Sequence, residues 1–63
     1  DLARILVATT NDDLPALALY QRYGFRIIEI VTGRVAADHG AELVGFAGIP
    51  VRDEVRLEYH LSV

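Results

Sequence analysis

The sequence has no cysteine, no methionine, no tryptophan and no lysine. Without cysteine the fold has no disulfide staple and no thiolate to hold a metal. The two histidines, His39 and His60, are too few for an all-histidine site, so no metal centre is expected. No apolar run approaches the ~20 residues that cross a bilayer as a helix, and no membrane partner is expected. Nothing at the start sets an apolar stretch behind a basic segment, so no signal peptide is expected and a cytoplasmic setting follows by default. Basic charge is scarce as well. All six positive charges are arginines scattered along the chain and the net charge is -3. A nucleic-acid partner would need a basic face, and none is expected.

What is present is a short, apolar chain of 63 residues, 52% of them hydrophobic. That composition describes a packed domain rather than a disordered segment. A chain of this length buries only ~60% of the surface that its unfolded form exposes. Small folds usually add disulfides, a metal or a partner chain. With the first two excluded, association with another chain is expected, as a dimer or other homo-oligomer. The chain opens at Asp1 with strand-like residues close behind, and the expectation is a segment of a longer product.

Residues 2–10 form a near-continuous apolar run with little alternation, as in strands buried on both faces. Asn11, Asp12 and Asp13 supply helix caps and Pro15 suits a first turn. A helix is predicted over residues 14–23, with Ala16, Leu19, Tyr20 and Tyr23 on one face, and Gly24 stops it. Residues 25–32 read as a second strand. Residues 34–41 are weakly helical, with Gly40 as a possible end, and residues 44–50 read as a loop or turn because of Gly45, Gly48 and Pro50. Residues 51–61 alternate strictly. Val51, Val55, Leu57, Tyr59 and Leu61 take one face, and Arg52, Glu54, Arg56, Glu58 and His60 take the other, the pattern of an antiparallel strand covered on one side. The fold class is α/β, in the order β-α-β-(short helix or loop)-β. One helix cannot cover both faces of such a sheet, so cover is missing beside the first strand.

Two segments go further. Thr9 to Phe25, TTNDDLPALALYQRYGF, resembles the motif of the GNAT family of N-acetyltransferases in which a strand leads to asparagine, alanine, tyrosine and then Gly-Phe. Gly48 to Glu58, GIPVRDEVRLE, resembles the end of a subgroup of the same family. The resemblance implies that residues 1–63 are the C-terminal half of a GNAT acyl-CoA N-acyltransferase fold, with the last strand inserted between the first two and antiparallel to both. It implies transfer of an acetyl group from acetyl-CoA to an amine, either a small molecule or a protein N-terminus. Tyr20 matches the tyrosine that protonates the departing CoA thiolate, a task a phenol can perform. Ala16 matches the small residue that lets the pantetheine arm lie close to the helix. Arg22 stands where a basic residue meets CoA phosphates.

Asp13 departs from the pattern. The family places asparagine there, whose amide donates to the pantetheine, and an ionised aspartate only accepts. Asn11 is the nearest amide, two positions early, and is kept as a candidate contact without simply inheriting the role. The family's glycine-rich pyrophosphate loop, which opens a helix and binds phosphate through backbone N–H groups, has no counterpart in these residues. The fragment alone is therefore expected to be inactive and to bind acetyl-CoA poorly.

Each candidate also has a plain structural reading. Tyr20 and Tyr23 suit packing, Arg22 a solvated face, and Asp12 and Asp13 helix caps. Arg52, Asp53 and Glu54 suit an ion pair at a strand edge, and His39 and His60 the surface. The competing functional reading is a non-catalytic module that associates through the exposed edge of its first strand.

Overall fold

In a computed structural model, residues 3–35 and 43–61 are described. Strand β1 (Ala3–Thr10) leads into helix α1 (Leu14–Tyr23) and strand β2 (Arg26–Val31). After two short strands, β3 (Leu43–Val44) and β4 (Pro50–Val51), the chain ends in β5 (Glu54–Leu61). The main sheet has the order β1-β5-β2, with β5 antiparallel to both neighbours. The insertion of the last strand between the first two is thus observed.

Local signals account for the helix. Asp13 accepts the Ala16 N–H at 3.3 Å, Pro15 lies in the first turn, and Gly24 closes the end at φ 125°. The Gly24 and Phe25 N–H groups both return to the Tyr20 carbonyl, at 3.1 and 2.9 Å. Past this stop, Phe25 packs on Tyr20 and Tyr59, with ring centroids 5.2 and 5.3 Å apart. Tyr23 packs on Tyr59 in an edge-on arrangement. Tyr59 therefore faces α1, and the pleat puts Leu57 and Val55 on the same side. These two are the buried hydrophobic residues among those described. The opposite face carries charge. Arg4 pairs with Glu58, and Arg56 with both Glu29 and Glu54.

Four expectations shift. The helix face is turned from the predicted one, since Ala16, Leu17 and Tyr20 are half-buried while Leu19 and Tyr23 are exposed. The helix leans towards β2 and covers a narrow strip of a three-stranded sheet. The loop or turn predicted at 44–50 is the 3-10 turn at Phe46–Gly48 of a hairpin, whose pairing of β3 with β4 was not predicted. The predicted strand at 51–61 is two strands. Val51 belongs to the hairpin and β5 begins at Glu54, because Asn11 grips the backbone at Arg52 and Asp53 and breaks the run. Strand β2 spans Arg26–Val31 rather than 25–32, and a bulge interrupts its register between Ile27 and Glu29.

The apolar β1 is an edge strand with Ile5 and Leu6 exposed, so the predicted shortage of cover is present in the structure. Arg34 and Val35 are helical, and the rest of the weakly helical stretch at 34–41 lies outside the described residues, as does His39. Among the described residues no helix is long and apolar enough to cross a membrane, and no cluster of three or more His, Cys, Asp or Glu side chains could hold a metal ion.

Candidate active site

The turn between β1 and α1 gathers three consecutive polar side chains, and each has a different partner. Asn11 reaches the far end of the chain. Its Nδ2 donates to the Pro50 carbonyl at 2.9 Å, and its Oδ1 accepts the Arg52 and Asp53 N–H groups at 2.9 and 3.0 Å. Asp53 continues outward, its Oδ1 accepting the Gly33 N–H at 2.7 Å. Asp12 turns inward and is the buried polar residue of the described chain, 8% exposed. Its Oδ1 accepts the Thr10 hydroxyl at 2.5 Å and its Oδ2 accepts the Phe46 N–H at 3.0 Å. These bonds, the Thr10 hydroxyl first, hold its carboxyl below the usual carboxylate range despite burial. Asp13 caps α1 through Oδ1 and accepts the Thr9 hydroxyl on Oδ2 at 2.7 Å.

Helix geometry then decides which predicted residues share a face. At ~100° per residue, Asp13, Ala16 and Tyr20 fall on one stripe, and Arg22 lies ~200° around from Tyr20. The structure brings the first three together and leaves Arg22 exposed, apart from them, in the last turn. Among the described residues nothing hydrogen-bonds the Tyr20 hydroxyl, while its ring is held against Phe25. A fixed ring with an open hydroxyl can donate a proton or hydrogen bond to a ligand. Ala16 adds little bulk one turn earlier, so a slender chain can approach the helix there.

Two open grooves lie elsewhere. One of about 460 Å³ is lined by residues that include Gly24, Arg26, Tyr59 and His60, and one of about 420 Å³ by others that include Leu6, Ile28, Glu29 and Arg56. Neither is lined by Asn11, Asp13, Ala16, Tyr20 or Arg22. His60 is exposed and sits 2.9 Å from Glu58. Sequence reasoning gave Asp12 only a capping role and missed its partnership with Gly45. That glycine lies so close that a Cβ would collide with Asp12 Oδ2. The contacting residues are more than thirty positions apart, and no local pattern signals them.

No family model matches the sequence, and no curated protein does either. Solved structures do. Over 94% of its length the chain superposes on the IAA acetyltransferase from Bacillus cereus ATCC 14579, with a TM-score of 0.84 and 36% sequence identity. Over 92% of its length it superposes on a GNAT family acetyltransferase from Elizabethkingia anophelis with acetyl-CoA bound, with a TM-score of 0.81 and 29% identity. The fold is therefore one shared with acetyltransferases. The chain spans 39% and 37% of those two chains, so the likeness is to part of a GNAT acetyltransferase fold.

Proposed function

We propose that residues 1–63 are part of an N-acetyltransferase that moves an acetyl group from acetyl-CoA to an amine, and that the fragment alone is inactive. The observation that carries this reading is the stripe of Asp13, Ala16 and Tyr20 on α1, within a fold that superposes on an acetyltransferase holding acetyl-CoA. Ala16 gives the pantetheine arm room beside the helix. The amine nitrogen attacks the thioester carbonyl carbon and the carbon–sulfur bond breaks. The Tyr20 hydroxyl passes its proton to the leaving thiolate and is reprotonated from solvent. The surplus proton of the amine goes to a base outside these residues. Arg22, on a different side of the helix, suits the CoA phosphates, and the acceptor is a small-molecule amine or a protein N-terminus. Asn11 holds the Pro50–Asp53 backbone with both ends of its amide, which leaves it a supporting role.

The test measures release of free thiol from acetyl-CoA with a panel of amines, in the longer protein that this reading requires and in the 63-residue chain. The longer protein should turn over, and Tyr20→Phe should lower kcat by roughly a hundredfold. Absence of thiol release with every amine, or a Tyr20→Phe variant with unchanged kcat, refutes the assignment. The short chain should show no saturable acetyl-CoA binding by calorimetry.

One observation favours a second reading. The outer edge of β1 pairs with no strand among the described residues, and Ile5 and Leu6 on it are exposed. Such an edge is a template for another strand. A module that associates through it would sediment as a dimer or larger homo-oligomer, and a monomer at all concentrations excludes that reading.

A further inference from the structure

Helix α1 carries the proposed proton donor but has no deep hold on the sheet. None of its ten residues is fully buried. Its placement therefore depends on contacts at its two ends. At the first, Asp13 ties it to β1 through the Thr9 hydroxyl at 2.7 Å. At the second the ties are aromatic. Phe25, just past the helix stop, meets Tyr20 twice. Its N–H donates to the Tyr20 carbonyl at 2.9 Å, and its ring lies 5.2 Å from the Tyr20 ring at an interplanar angle of 57°. Phe25 is held in turn by Tyr59 of the central strand β5, at 5.3 Å and 35°. Tyr59 stands two residues after Leu57, the fully buried residue of the described chain, so its backbone belongs to the best-covered part of the sheet. Gly24 lies over the Tyr59 ring without a side chain, and Tyr23 flanks that ring at 5.3 Å.

These rings connect the buried core strand to Tyr20. The connection matters because the Tyr20 hydroxyl has no hydrogen-bond partner among the described residues, so only packing against the ring fixes where it points. A long side chain on a helix has two common χ1 rotamers, and they place a phenol oxygen at well-separated points. A neighbour packed on one side of the ring decides between them. We infer that Phe25 and Tyr59 are positioning residues for Tyr20. Tyr59 braces the Phe25 ring, and Phe25 braces the Tyr20 ring, so that the phenol stays where the leaving sulfur forms. This rests on the acetyl-transfer reading above. Neither bracing ring passes a proton, and the Tyr59 hydroxyl has no part in the device. The effect falls on the chemical step and not on binding of acetyl-CoA.

Steady-state kinetics of the longer protein, with acetyl-CoA and an amine that it turns over, tests this. Tyr59→Leu removes the brace behind Phe25 and should lower kcat about tenfold, while KM for acetyl-CoA stays within about twofold. Phe25→Leu removes the ring beside Tyr20 but keeps the backbone bond, and should lower kcat at least as far. Tyr59→Phe keeps the ring and should keep the wild-type kcat. The double variant separates positioning from plain loss of structure. If the rings act through the Tyr20 hydroxyl, Tyr59→Leu costs nothing further once Tyr20→Phe has removed that hydroxyl. An equal loss of kcat in both backgrounds overturns the inference, and so does an unchanged kcat in Tyr59→Leu. A wild-type protein that acetylates no amine, or a Tyr20→Phe variant with unchanged kcat, overturns the acetyl-transfer reading of Tyr20 as well. A slow Tyr20→Phe variant without the coupling overturns this inference alone.

Discussion

Gly24 carries two burdens that can be separated by measurement. It ends α1 at φ 125° and ψ 2°, in a region that residues with a Cβ rarely adopt. A Cβ there would also lie 2.9 Å from Tyr59 Cε1 and 3.4 Å from Cδ1. The Tyr59 ring has little freedom to retreat, since Tyr23 and Phe25 pack on it with centroids 5.3 Å away. For Gly24→Ala, left-handed backbone costs ~1–2 kcal/mol and the overpacking ~1–3 kcal/mol. The expected loss is about 2–5 kcal/mol, and in a domain of this size each kcal/mol shifts Tm by ~4–8 °C. Thermal unfolding followed by circular dichroism should therefore show a fall of roughly 8–40 °C. Gly33→Ala is the control. Gly33 has φ 73°, but a methyl group added there would meet nothing within 4 Å, so only the backbone cost of ~1–2 kcal/mol applies. If Gly24→Ala loses no more than Gly33→Ala, the steric half of the reasoning is wrong. If neither variant loses stability, the backbone half fails too.

Two further outcomes follow from the turn. Asn11→Ala removes three hydrogen bonds to the Pro50–Asp53 backbone, at ~1 kcal/mol each, and should destabilise by about 2–3 kcal/mol in urea unfolding. Amide exchange at Arg52 and Asp53 should rise with it, and unchanged exchange there would contradict the assigned grip. Asp12 has a folded-state pKa held below its unfolded value by the Thr10 hydroxyl and the Phe46 N–H. Its contribution is thus full above the unfolded value of ~3.9 and is lost as pH falls through the folded pKa. Acid titration of stability should be flatter below about pH 4 in Asp12→Asn than in the wild type, and identical slopes would show that Asp12 has no part in it.

The helix could be read from sequence because its signals are local. Asp13, Pro15 and Gly24 act within one turn of their own positions, and the structure places α1 at Leu14–Tyr23 as predicted. What sequence misread depends on contacts across the chain. The strict alternation from Val51 onward looks like one strand, yet Asn11, some forty residues earlier, accepts two N–H groups at Arg52 and Asp53 and interrupts it. Gly45, Gly48 and Pro50 suggested a loop or turn without its flanking strand pair, and nothing local showed that Gly45 is small because it lies on Asp12. The period of α1 placed Leu19 on the covered face. With one helix over part of a three-stranded sheet, only a strip through Ala16, Leu17 and Tyr20 is half-buried and none of the helix is fully buried, and the period alone does not say where that strip falls. At the candidate site, the resemblance named Ala16, Tyr20 and Asp13, and helix geometry puts them on one stripe. The same resemblance named Arg22, which the helix turns elsewhere, and had nothing to say of Asp12.

The most informative position for the functional reading is Asp13, where the chain departs from the family's asparagine. Its carboxylate does two structural jobs, accepting the Ala16 N–H on one oxygen and the Thr9 hydroxyl on the other. Asn caps a helix about as well as Asp, so Asp13→Asn should keep the cap and change stability by less than ~0.5 kcal/mol. The second contact reverses rather than disappears. The Thr9 hydroxyl can rotate to accept from the new NH₂ group, which uses one of its two protons and leaves the other free. That free donor lies on the stripe with Ala16 and Tyr20, where the pantetheine arm is proposed to run. Asp13→Asn should therefore lower KM for acetyl-CoA several-fold, about 1 kcal/mol for a single added hydrogen bond, with kcat unchanged. A raised or unchanged KM at equal thermal stability would mean that the arm does not pass this stripe, and the roles proposed for Ala16 and Tyr20 would fall with it.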